Sequence, residues 1–255
     1  MIPTDDRGLL LGDGLFETIL WTGDVLEAWD RHMDRLVAGC EVLDLPSPER
    51  ARLHAAALSA LAAKALMNIR AAVRVTWTAG SGGRGLDRPS PVVPRLTVAA
   101  NPAPPPVGPA ALMVSSVRRN EGSPASRLKS LAYLDNVLAR REATTAGADE
   151  ALMLNGRGRI ACAAAANLFW FEGDTLVTPA LTLGALPGLM RHTMIDQARR
   201  LGIRVQEADS PLAALRRARG LFLTNSLIGA RPVASLNGKP IAGHPALAEL
   251  SAALA

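Results

Sequence analysis

Chemistry that needs an amine nucleophile has few places to reside in this chain, which carries three lysines, Lys64, Lys129 and Lys239, against 25 arginines. An amine facing a pocket sheds its proton more readily than one in water and can then condense with a carbonyl. Lys64 lies in an Ala-rich stretch that reads as a helix with a solvated face, and Lys239 follows Asn237-Gly238, a turn signal. Lys129 differs. It lies in SPASRLKSLAYLDNVLARREA, between a loop of small residues and an apolar, periodic run. On spacing alone, it reads as a surface lysine at a helix start.

Three other segments carry groups that suit anions. Gly184-Ala185-Leu186-Pro187-Gly188 precedes a helical pattern opening Leu189-Met190-Arg191, and the first N–H groups of a helix have no acceptor within it, which favours a phosphate. By itself, glycine before a helix is more often only a turn. Thr224-Asn225-Ser226 follows the apolar Leu221-Phe222-Leu223, where short polar side chains either bind an anion or satisfy a loop backbone. Ser81-Gly82-Gly83-Arg84-Gly85 is a flexible loop whose arginine either clamps a carboxylate or decorates a hairpin.

The elements that must position these groups alternate in type. Residues 14–21 and 70–78 read as strands, separated by a helix that Ser47-Pro48-Glu49 opens and that runs to Met67; a strand at 94–100 follows. NPAPPPVGP at 101–109 is too proline-rich for a helix interior or a central ladder, and marks a boundary. We place a small domain at 1–104, a linker at 105–110 and a larger domain at 111–255. Within the latter we expect strands at 111–117, 150–154, 159–163, 167–171, 175–178, 203–207 and 220–224. Helices are expected at 133–146, 189–202, near 210–217 and from about 244. The class is α+β.

Composition narrows the function. With 49% hydrophobic and 20% charged residues the chain should bury a core. The net charge of +5 comes from scattered residues, and the doublets Arg118-Arg119, Arg140-Arg141, Arg199-Arg200 and Arg216-Arg217 read as solvated helix faces and turns, so no nucleic-acid partner is expected. An acidic small molecule suits that charge better. Cys40 and Cys162 are far apart, and His32, His54, His192 and His244 form no HxxxH pair, so neither a disulfide framework nor a metal site is expected. With no signal sequence and no spanning apolar run, the expectation is a cytoplasmic enzyme without a membrane partner.

Taken in order, DRGLLLGDGLFET at 6–18, RHMDRL at 31–36, the Lys129 segment, GADEALMLN at 147–155, ANLFW at 166–170, GALPGLMR at 184–191 and FLTNSLIGARPV at 222–233 resemble the fold-type IV pyridoxal-phosphate enzymes. That family holds the branched-chain and D-amino-acid transaminases and 4-amino-4-deoxychorismate lyase. The resemblance implies a small N-terminal α/β domain, a larger C-terminal domain with a β-barrel-like sheet, the cofactor in the cleft between them, and a homodimer whose partner helps close the site. It makes Lys129 the lysine that bonds pyridoxal 5'-phosphate. It gives the phosphate to Arg35, to the backbone amides of Leu189 and Met190, and to Ser226 and Asn225. Tyr133 is brought towards the cofactor ring, although some members place their tyrosine one residue later, and Arg84 is a candidate for a substrate carboxylate.

Two departures from the family pattern stand out. The usual strand before the DRG segment is missing, so an edge strand of the small domain is expected to be absent. Cys162 occupies the position, five residues before Asn167, where the family carries the glutamate that pairs with the pyridine nitrogen. A thiol is largely neutral and does not keep that nitrogen protonated, which weakens the electron sink. An elimination tolerates this better than a transamination. SGGRG at 81–85 and LTNSLIGARPV at 223–233 also look more like the lyases, so the expected reaction is conversion of 4-amino-4-deoxychorismate to 4-aminobenzoate and pyruvate, in folate biosynthesis. The alternatives are an aminotransferase for D- or branched-chain amino acids and a cofactor-binding protein that has lost catalysis.

Overall fold

In β1 (Gly14–Trp21) Leu15, Ile19 and Trp21 are buried on one face of the strand, and burial alternates from Glu17 to Trp21. In the computed structural model, which describes residues 2–252, β1 pairs antiparallel with β2 (Ala71–Thr78), and β2 with β3 (Arg95–Pro102). Leu15, Ile19 and Trp21 form one core with Val73 and Val75 of β2 and with Met33, Leu36, Leu53 and Leu61. The last four come from α2 (Trp29–Val42) and α3 (Arg50–Ala63). A short α1 (Arg7–Leu11) precedes β1, with the Asp6 carboxylate accepting from Gly8 N at 2.9 Å and Gly12 ending it at φ +67°.

Several elements of this part differ from the sequence reading: α1 was not expected, and α3 ends at Ala63 and not at Met67. α2 was not expected: its N-cap, Ala28, has φ +50° and makes no side-chain cap bond, so no start signal precedes it. α3 begins at Arg50, with Glu49 extended as its cap, so Ser47-Pro48 lies outside the helix. β3 runs on to Pro102 inside the proline-rich stretch, which an edge strand's terminal residue permits.

By contacts the chain forms two compact units, one of Met1–Pro105 with Leu128–Ala132, the other of Pro106–Arg127 with Tyr133–Ala255. Division is therefore not a single cut. The short stretch around Lys129 belongs with the first unit because its backbone lies against β1.

The second unit is built on a nine-stranded mixed sheet in the order β6-β5-β4-β11-β10-β7-β8-β9, with β12 beside β11. These strands are β4 (Ala110–Arg119), β5 (Glu150–Asn155), β6 (Ile160–Ala163), β7 (Asn167–Glu172), β8 (Thr175–Pro179), β9 (Val205–Ala208), β10 (Arg219–Asn225), β11 (Gly229–Leu236) and β12 (Lys239–Pro240). Helices α4 (Leu134–Thr145), α5 (Leu189–Arg200) and α6 (Pro245–Ala252) complete it. β7 is buried on both sides: Leu168 and Trp170 join Leu221 and Leu223, whereas Phe169 and Phe171 join Phe222 and Met194 of α5. β11 escaped the sequence reading because Arg231-Pro232 interrupts its pattern; its ladder with β4 starts only at Val233, so Pro232 owes that strand no N–H.

The reading of Arg118-Arg119 as solvated is corrected. Arg119 is buried and donates to Gly184 O at 2.9 Å, Asn136 Oδ1 at 3.0 Å and Ser126 O at 2.5 Å, a clamp across three segments of its unit. No described helix is long and apolar enough to cross a membrane, and among the described residues no group of three or more His, Cys, Asp or Glu could hold a metal ion.

Candidate functional site

Lys129 sits on an extended segment that lies along the free edge of β1. Its carbonyl accepts from Phe16 N at 2.9 Å, Leu131 N donates to Gly14 O at 3.0 Å, and Leu15 and Ser130 form a bridge. The residue thus precedes α4 without being part of it, and a strand edge fixes its backbone. Its half-buried side chain brings Nζ over the Phe16 ring, 4.2 Å from the centroid, and the Arg74 guanidinium lies 3.6 Å from the same centroid. Burial lowers the Lys129 pKa to about 8, against the upward pull of Glu17, with Arg35 and Arg74 adding to the fall. Near neutral pH an appreciable share of this amine is unprotonated and able to attack a carbonyl. Lys64 and Lys239 are exposed.

On the opposite face of β1 a carboxylate is turned inward. Glu17, 1% exposed, accepts from Arg35 Nε at 2.8 Å and Nη2 at 2.6 Å, a two-pronged pair, and its Oε2 lies 2.7 Å from His32 Nδ1. His32 and Arg35 share a face of α2 because they are three residues apart. Burial pushes the Glu17 pKa up, but the bonds from Arg35 and His32 outweigh it and hold the carboxyl below its usual range. Burial keeps His32 below its ordinary value despite Glu17, so its Nδ1–H donates from a neutral ring. Sequence reasoning found Arg35 but missed Glu17 and His32. The available signal was an acid at an inward position of a strand, between Leu15 and Ile19.

In the second unit the glycine-rich turn is built around Asn167. Its Nδ2 donates to Leu186 O at 2.9 Å, Gly188 N donates back to Leu186 O at 2.8 Å, and α5 starts at Leu189. A Cβ on Gly188 would stand 1.9 Å from Asn167 Oδ1, so the close approach requires glycine. Leu189 and Met190, both half-buried, form the first turn. Asn225 holds its own loop, Nδ2 donating to Ala165 O at 2.9 Å while Oδ1 accepts from Leu227 N and Ile228 N. Ser226 follows it, half-buried, and the fully buried Thr224 Oγ1 has no hydrogen-bond partner.

The remaining expected residues fall in different settings. Cys162 is buried on β6 opposite Met153, and burial pushes its thiol up to about 11 against a downward pull from Arg119 and with an upward push from Glu150. Tyr133 is the half-buried N-cap residue of α4. Arg84 is exposed, in a loop that Arg7 holds from beneath: Arg7 donates to Leu86 O at 2.8 Å and Asp87 O at 2.9 Å, and pairs with Asp13 at 2.9 Å.

A model of the class IV amino-transferases matches residues 14–236 of this chain. The chain belongs to that family. Among relatives of this class IV chain, a Methanocaldococcus jannaschii protein provisionally named a branched-chain-amino-acid aminotransferase is 33% identical, with 92% of this chain and 83% of that protein covered. The aminodeoxychorismate lyase of Vibrio harveyi is 29% identical over 92% of this chain and 88% of its own. The branched-chain amino acid aminotransferase of Escherichia coli superposes with a TM-score of 0.91 at 26% identity, over 100% of this chain and 88% of that one. The small antiparallel sheet and the large mixed sheet are the architecture of this family. The chain is accordingly a pyridoxal-phosphate-dependent enzyme of class IV, whose relatives divide between aminotransferases and lyases.

Members of the family bind pyridoxal 5'-phosphate. Most of the residues present suit it: an amine of lowered pKa at a strand edge, and the first N–H groups of α5, which follow a glycine. Cys162 does not suit a protonated ring nitrogen, since its thiol stays neutral.

Proposed function

We propose that this enzyme is a lyase that releases pyruvate and 4-aminobenzoate from 4-amino-4-deoxychorismate, with Lys129 as the residue that bonds pyridoxal 5'-phosphate. The observation that carries the cofactor assignment is the setting of Lys129, the only half-buried lysine of the three, with its pKa near 8. Arg35, the start of α5 at Leu189 and Met190, and Ser226 supply the phosphate partners, with Asn225 shaping the Ser226 loop. Bound, the cofactor supplies a sink for the electron pair left when the amine-bearing carbon loses its proton. Lys129 Nζ would be the base that takes that proton. Cys162 offers no charge to deepen the sink, which suits a reaction whose electrons depart with a leaving group. Arg84 meets a substrate carboxylate, and Tyr133 approaches the ring. A homodimer is part of this reading.

The second reading is an aminotransferase for branched-chain or D-amino acids, favoured by the likeness to relatives of both kinds. Purified enzyme given 4-amino-4-deoxychorismate should release pyruvate, and Lys129→Ala should lose both that turnover and the borohydride-fixed cofactor mass. Conversion of the cofactor to its amine form by amino acids, with no pyruvate released, would favour the second reading. Turnover retained by Lys129→Ala would overturn the lysine assignment.

A further inference from the structure

We propose that Glu17 is a positioning residue: braced by His32, its buried carboxylate fixes the plane of the Arg35 guanidinium from the strand whose edge holds Lys129. The inference rests on the reading above for what Arg35 and Lys129 do, and goes beyond it in assigning a role to a strand carboxylate that acts through Arg35.

Three observations carry it. Glu17 is 1% exposed on a strand otherwise lined by Leu15, Ile19 and Trp21, where a carboxylate is costly to bury unless its bonds are specific. Both of its oxygens are engaged, Oε1 by Arg35 Nε and Oε2 by Arg35 Nη2 and His32 Nδ1, so the guanidinium plane is fixed from two points. Finally, β1 links the two assignments. Phe16, the neighbour of Glu17, bonds the Lys129 carbonyl through its backbone and lies beneath the Lys129 amine with its ring.

The charged groups that act on the Lys129 charge come from three elements: Glu17 from β1, His32 and Arg35 from α2, and Arg74 from β2. Of these Glu17 alone is negative. Arg35 and Arg74 both oppose a proton on Lys129, and Glu17 restrains them. Removing its charge should therefore make Lys129 easier to deprotonate and also release Arg35 from its fixed plane. A residue that only filled space would do neither.

The test uses the full chain and two readouts. Brief acetylation across a pH series, resolved by mass spectrometry, reports the Lys129 midpoint, with the exposed Lys64 and Lys239 as references in the same sample. In the parent the midpoint should lie near 8. In Glu17→Gln it should fall by about one unit. Binding of pyridoxal phosphate and of unphosphorylated pyridoxal is then compared, and the preference for the phosphorylated form should drop roughly tenfold in Glu17→Gln. A folded Glu17→Gln with an unchanged midpoint and unchanged preference overturns the proposal. Should that variant fail to fold, Glu17→Asp, which keeps the charge on a shorter stem, should retain the midpoint and lose the preference; loss of neither overturns it. A parent that fixes no cofactor at Lys129 would instead sink the proposed function, while the acetylation midpoint still judges Glu17.

Discussion

Glu17 is a carboxylate placed where the strand pattern calls for a hydrocarbon, and its cost is offset by Arg35 and His32 at 2.6–2.8 Å. Its pKa is held below the ordinary value of 4.5, so the folded state binds the charged form better than the unfolded chain does. The stability this gives is complete above 4.5 and is lost as pH falls through the lower folded value. Denaturant midpoints of the parent and Glu17→Gln should therefore separate above about pH 5 and converge in more acid solution. Parallel curves would mean the charge contributes nothing. Lys129 shows the opposite legibility: its rarity and flanking sequence singled it out, whereas its lowered pKa comes from burial in the fold, with Arg35 and Arg74 adding to the fall against Glu17.

At the level of elements, the start of α5 depends on a glycine that the sequence could mark only as a turn. The reason for glycine is the Asn167 amide, which occupies the space a Cβ would need and bonds the Leu186 carbonyl. Gly188→Ala should destabilise the chain by about 2 kcal/mol in urea unfolding and weaken cofactor retention, because Asn167 must leave its place. A variant with native stability and retention would show that the turn tolerates a Cβ. The strands β1 and β2 were readable from their β-rich composition between turn-forming residues, and α4 and α5 from periodicity. α2 was not, because Ala28 caps it without a side-chain bond, although this helix brings His32 and Arg35 to Glu17. β11 was masked by Pro232.

For the whole molecule, the consequential feature is that Leu128–Ala132 returns to the first unit. A fragment of residues 106–255 contains Lys129 but lacks β1, the strand edge that holds its backbone. Expressed alone, that fragment should fix no cofactor at Lys129 after borohydride treatment, and mass spectrometry of the lysine-bearing peptide checks this; fixation at the parent's level would show that β1 is dispensable. What the sequence determined by itself was local or cumulative: the α+β class, most strands and helices, the rare amine, and the ordered motifs of the class IV family. Those signals lie within a few residues of one another. The tertiary structure alone decided that Lys129 lies on a strand edge, that Arg119 is a buried clamp rather than a solvated charge, and that Glu17 meets Arg35. Each of these depends on pairing between segments remote in sequence, where burial and counter-charge, rather than local propensity, set the outcome.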